Sequence, residues 1–245
     1  MAFIPNFQAV LANRRGYFHA GARDWSDWRY CYEGGRIFLD EFLNKFSDRE
    51  TDAEFETRKK MTPIPAHAKK EVNKLRNELS ARFGDIVRRG GSDVMQRALD
   101  GEGGGIDRAG RTLDQFFRDM VLGEMLVMSE VGILIDAPSF QAGTLAEQPQ
   151  DFSPYLISYP REAIEFTVPT DPGDPGDYSA VLLRETHFAG SSDKLLKLTS
   201  SFREVQVLKY YWVDPETGFV NIQRMDDLGT MLAPVIQTEL REIPF

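Results

Sequence analysis

The chain has 245 residues, 42% of them hydrophobic and 27% charged, with a net charge of −9. This composition excludes a disordered chain and allows a sizeable core. The acidity disfavours wrapping nucleic acid, because phosphate is neutralised by Lys and Arg.

The opening MAFIPNFQAVLANRR places its basic residues after its apolar ones, the reverse of a secretory signal. Trp25, Trp28 and Tyr32 fall at i, i+3 and i+7, the spacing of one helix face. Cys31 lies beside Tyr30 and Tyr32 in that helix and is expected to be packed. It is the only cysteine, so no intrachain disulfide forms, which suits a reducing compartment. Gly34-Gly35 breaks the helix, and Ile37, Phe38, Phe42 and Phe46 resume an apolar stripe. Ser47 to Glu50 has the capping-box form, which predicts a helix from about residue 48 to just before Pro63 and Pro65. A further helix is predicted from near Ala66, with Val72, Leu75, Leu79, Phe83 and Ile86 on its packed side and its charges on the other.

The segment GEGGGIDRAG, 101–110, has five glycines in ten residues and predicts a flexible loop. Thr112 and Gln115 form a second capping box, followed by a helix with Leu113, Phe116, Phe117, Met120, Val121 and Met125 buried. The apolar stretch 121–135 is interrupted by Glu124 and Glu130, so no bilayer span is expected. VGILI, 131–135, predicts a buried strand. A polar connection follows at 138–153, and after it a series of short strands rich in Val, Ile, Tyr and Phe. PTDPGDPGD, 169–177, reads as a longer loop, and 214–218 as a turn between strands. The predicted fold class is α+β. A helical N-terminal region, 1–138, ends in a buried strand, and a mostly antiparallel β region occupies 139–245.

Few residues point to chemistry. Asp136 ends a strand, a common place for a metal-binding or general-base acid, with Asp107, Glu124 and Glu130 as companions. The favoured reading is that Asp136 accepts backbone N–H bonds where the strand turns. The glycine loop lacks the Lys of a Walker loop, and Asp171, Asp174 and Asp177 lack EF-hand spacing. His19, His67 and His187 form no zinc pattern. No catalytic, cofactor-binding or metal-binding residue is assigned, and an enzyme is not expected.

The basic residues, in contrast, are concentrated. Segment 58–89 holds ten Lys/Arg against three acids, a local charge of +7, which leaves −16 for the rest of the chain. Arg58, Lys59, Lys60, Lys69, Lys70, Lys74 and Arg76 form a candidate electrostatic contact patch for a phosphate backbone or an acidic partner. The alternative is a solvated helix face.

The order of these pieces resembles the portal proteins of tailed bacteriophages, within a family long filed as of unknown function. The likeness rests on WRYCYEGGRIFL (28–39), FLNKFSDRETDAEFETRKK (42–60), GIDRAGRTLDQFFRDMVLGEMLVMSEVGILIDAP (105–138), PYLISYPREAIEF (154–166) and the terminal REIPF. It implies a structural, homo-oligomeric ring, usually a dodecamer, at the capsid vertex of the virion, assembled in the host cytoplasm. Double-stranded DNA is packaged and ejected through such a ring. Its partners are the major capsid protein, the terminase and a head-tail adaptor, with no cofactor and no membrane. On this likeness both regions belong to the α/β wing, and the stem, clip and crown are expected after IPF, outside this sequence. The basic segment is expected to lie away from the channel axis, and exposed strand edges are expected to pack on a neighbouring copy. The alternatives are a metal-dependent nuclease or phosphoesterase using Asp136, or a different head-tail adaptor or minor head protein.

Overall fold

A computed structural model describes residues 22–64, 66–83, 90–137, 154–171, 174–189, 203–226 and 228–245. The expectations placed on 1–15, His19, Ile86 and 138–153 lie outside the described residues. The fold is α+β, with helices in the N-terminal half and antiparallel sheet in the C-terminal half. The chain divides into two compact units, one holding the helices and 135–158, the other holding 132–134 and 159–245. No described helix is long and apolar enough to cross a membrane.

In the helical unit, α1 (Ala22–Glu33) ends at Gly34 and α2 (Gly35–Phe42) begins immediately after it. Gly34 and Gly35 have φ of +62° and +65°, the left-handed region that glycine enters without a Cβ penalty. Cys31, expected among packed aromatics, is exposed. The next helix, α3 (Asp52–Met61), starts four residues later than Ser47 and Glu50 predict. Its capping box is Thr51 and Glu54: the Thr51 hydroxyl accepts the Glu54 N–H, and the Glu54 carboxylate accepts the Thr51 N–H. Glu50 is occupied elsewhere, accepting the Phe46 N–H and two bonds from Arg58. The helix stops before Pro63, as the proline requires.

Helix α4 (His67–Ser80) begins where the sequence predicts, and of its predicted packed side Val72 is half-buried while the two leucines are open. Leu75 and Leu79 are 44% and 51% exposed. The inward side carries half-buried Arg76 and buried Ser80, four residues apart. Lys69 meets Glu33 of α1 at 2.7 Å at the surface, and the Arg76 stem lies across Gly123.

After α5 (Asp93–Leu99) comes the glycine segment, which is a closed loop with its own hydrogen bonds. The Gly110 N–H donates to the Gly104 carbonyl at 2.7 Å, and the Ile106 N–H to the Arg111 carbonyl at 3.0 Å. Ile106 is 1% exposed and anchors the loop. The helix 113–128 then runs as α6 (Leu113–Phe116), a π-helical segment (Phe117–Leu122) and α7 (Gly123–Met128). The predicted Thr112–Gln115 capping box is present. Phe116, Val121 and Met128 are buried, whereas Met125 is 48% exposed.

β1 (Val131–Asp136) buries Gly132 and Leu134 and exposes Ile135, an alternating strand and not one buried on both faces. It pairs with β2 (Tyr155–Pro160) in a two-stranded sheet. The second sheet is a five-stranded meander of β3 (Ile164–Asp171), β4 (Asp174–Ala189), β5 (Arg203–Val213), β6 (Val220–Met225) and β7 (Ile236–Gln237), antiparallel throughout. Only residues 172 and 173 separate β3 from β4, so the predicted 169–177 loop is mostly strand. The predicted 214–218 turn is present, with Asp214 accepting the Glu216 and Thr217 N–H groups.

Directly opposed residues share a face, so Leu182, Tyr210 and Gln223 align across three strands. Phe166, Ala180, Leu182, Leu208, Tyr210, Trp212 and Met225 form the core of this sheet. Burial pushes the Tyr210 phenol up to about 12. From Asp226 the chain turns back along β6 and ends at Phe245, whose ring lies over Gly132 and beside Tyr159 and Tyr178.

Candidate electrostatic interface

The seven basic residues lie on α3 and α4, and four of them have acidic partners. Arg58 grips Glu50 through two nitrogens, at 2.8 and 2.9 Å. Lys59 meets Asp40 at 2.8 Å, Lys69 meets Glu33 at 2.7 Å, and Lys74 lies 4.0 Å from Glu78. Arg76 is half-buried, and its Nε is buried with no hydrogen-bond partner. Lys60 and Lys70 make no ion pair among the described residues. Local charge counting therefore overstates the patch. Its neutralising acids, Glu33, Asp40 and Glu50, precede residue 58 on α1, on α2 and before α3.

Three of these pairs shift proton affinities in the expected directions. Hydrogen bonds from Arg58, then from the Phe46 N–H, hold the Glu50 carboxyl at about 2, against an ordinary 4.5. Lys59 holds Asp40 below the usual carboxylate range, and Glu33 raises Lys69. A carboxyl depressed in the folded state adds stability above its unfolded pKa and loses it as pH falls through the folded value. Glu50→Gln is therefore expected to destabilise the protein at neutral pH. The gap from wild type should close as pH falls from about 4.5 towards 2. Thermal melts across that range check this; a gap independent of pH would contradict it.

The acids considered for catalysis do not come together. The Asp136 carboxylate accepts the Ala137 N–H at 2.8 Å and the Tyr155 hydroxyl at 3.2 Å. It closes the end of β1, the role favoured from the sequence. Asp107 is held by Arg111 and by the Ala109 N–H. Burial raises its proton affinity, but those bonds outweigh burial and leave it below the ordinary value. Glu124 forms a two-point pair with Arg29, at 3.1 and 2.5 Å. Among the described residues, no three His, Cys, Asp or Glu side chains are placed to hold a metal ion.

Two recesses flank α4. A shallow one of about 850 Å³ runs along its outer surface past Lys69, Lys70, Asn73, Lys74 and Asn77. A smaller one of about 430 Å³ lies near the start of α6, where Gln115 is committed to the helix cap and Arg118 to Asp119. No protein-family model matches the chain, and no curated protein matches it.

Proposed function

We propose that this chain is a structural component of a tailed-phage portal, corresponding to the wing, and that it acts through surfaces that fit copies of itself together. The observation that carries the reading is the row of large apolar side chains left on the surface of the C-terminal arm. Leu228 is 75% exposed, Met231 56%, Leu232 51%, Ile236 53% and Leu240 48%. Scattered exposed apolar residues are ordinary, but five within thirteen positions of sequence are a concentration that favours contact with a protein partner. The order of helices, then β1, then an antiparallel sheet closing with β7 is an α+β layout of the kind the resemblance implies for a wing.

The outer rims of the five-stranded sheet are poor templates for strand addition. Pro169 removes an N–H from β3, and β7 is only two residues long. Contact between copies is therefore assigned to apolar side chains. On this reading the ring sits at the capsid vertex of the virion and meets the major capsid protein, the terminase and a head-tail adaptor. Duplex DNA passes through it, and the chain carries out no reaction of its own.

The test is assembly of the product of the whole reading frame, by native mass spectrometry and negative-stain imaging. A closed ring is expected. Leu232→Lys with Ile236→Lys should shift it to monomer while leaving the circular dichroism unchanged. A wild-type product that stays monomeric at high concentration overturns the reading.

A further inference from the structure

The recess along α4 lies apart in sequence from the apolar residues proposed for contact between copies, and its lining differs in chemistry. Ala66, Lys70, Asn73, Asn77 and Ala81 fall at i, i+4, i+7, i+11 and i+15, a single line along the helix. Lys69 and Lys74 flank that line. The two alanines keep its ends open. The line is about 22 Å long at 1.5 Å per residue. Its lining offers ammonium and amide donors, with Glu78 as the one carboxylate.

No large apolar side chain lines it; Leu75 and Leu79 lie more than a third of a turn away on the helix. A protein partner needs an apolar or aromatic anchor at the centre of its contact, and this surface supplies none. A chain of regularly spaced anions needs only donors in a row. Lys70 carries no ion pair among the described residues, and Lys74 is 69% exposed beside Glu78 at 4.0 Å, so both cations are available. An exposed pair at that separation contributes little and gives way readily.

We propose that the α4 recess binds the phosphodiester backbone of nucleic acid, with Lys70 and Lys74 on phosphates and Asn73 and Asn77 donating hydrogen bonds to phosphate oxygens. Lys69, held by Glu33, contributes field but no direct contact. The binding carries no sequence preference, because backbone contacts read none. It is weak and salt-sensitive. Two phosphates neutralised give a slope of about −1.8 in log affinity against log salt, or about 12-fold weakening from 50 to 200 mM.

The experiment is fluorescence anisotropy of the whole chain with a labelled 20-base-pair duplex, and separately with a labelled poly-glutamate peptide. The result expected is duplex binding at 50 mM salt with that slope, lost in Lys70→Glu/Lys74→Glu and unchanged in Lys60→Glu. Both lysines are exposed, and circular dichroism verifies that the variant is folded. No duplex binding, equal binding by the double variant, or tighter binding of poly-glutamate than of duplex would each overturn the proposal. Ring formation is read by a different measurement, so failure of one reading is distinguishable from failure of the other.

Discussion

Gly105→Ala is expected to destabilise the helical unit by about 3 kcal/mol, the steepest loss for a change of one methyl group. A Cβ at this position would lie 2.5 Å from the Arg111 carbonyl oxygen, 2.6 Å from the Arg111 nitrogen and 2.7 Å from the Gly110 carbonyl carbon. All three are backbone atoms and cannot rotate aside. Gly105 also has φ of +70°, where a side chain is strained irrespective of space. Relief requires opening the loop, which costs the Ile106–Arg111 hydrogen bond and unseats Ile106. Gly110 separates the two effects. It has φ of +80° but nothing within 4 Å of a Cβ, so Gly110→Ala should cost only the backbone strain, ~1 kcal/mol. Urea unfolding of both variants provides the comparison. If the two losses agree within error, the close backbone approach is not what constrains Gly105.

Gly132→Ala is expected to cost about 2 kcal/mol in the sheet unit. The added methyl would lie 2.3 Å from Phe245 Cζ, 2.7 Å from its Cε2 and 3.1 Å from Ile164 Cδ1. The ring cannot retreat freely, because Tyr159 and Tyr178 lie against it with centroids 6.5 and 5.9 Å away. Phe245→Ala alone removes this aromatic packing and should also destabilise. Combined, the two changes compensate in part, since the methyl enters space the ring has left. The double variant should be more stable than the sum of the single losses by about 1 kcal/mol. Strict additivity would show that Phe245 does not rest on Gly132 in solution.

Local chemistry was legible in the sequence. The Thr112–Gln115 box, the proline stop before residue 63, the 214–218 turn and the α+β order are each set by residues within a few positions of one another. Even there, two overlapping capping signals four residues apart competed. Glu50 is taken by Arg58 and the Phe46 N–H, and Glu54 closes the cap with Thr51.

Features that depend on distant partners were not legible. The apolar spacing of Leu75 and Leu79 resembles a packed stripe, yet α4 turns Arg76 and Ser80 inward. Arg76 finds its place against a glycine at 123, forty-seven residues away in the chain. Composition predicts a flexible segment at 101–110, because glycine fraction does not report that Gly105 is there to let two backbone stretches touch. For the candidate interface, charge counting found the right helices but could not assign the distant acids that pair with three of its seven cations.

One consequence of the exposed position of Cys31 is practical. It is the sole thiol in the sequence, and it faces solvent on α1. A maleimide dye will therefore attach at one defined place, and energy transfer between labelled copies can follow assembly in real time without engineering a handle. The same thiol allows two copies to become covalently joined in air, so a reductant belongs in every mass measurement.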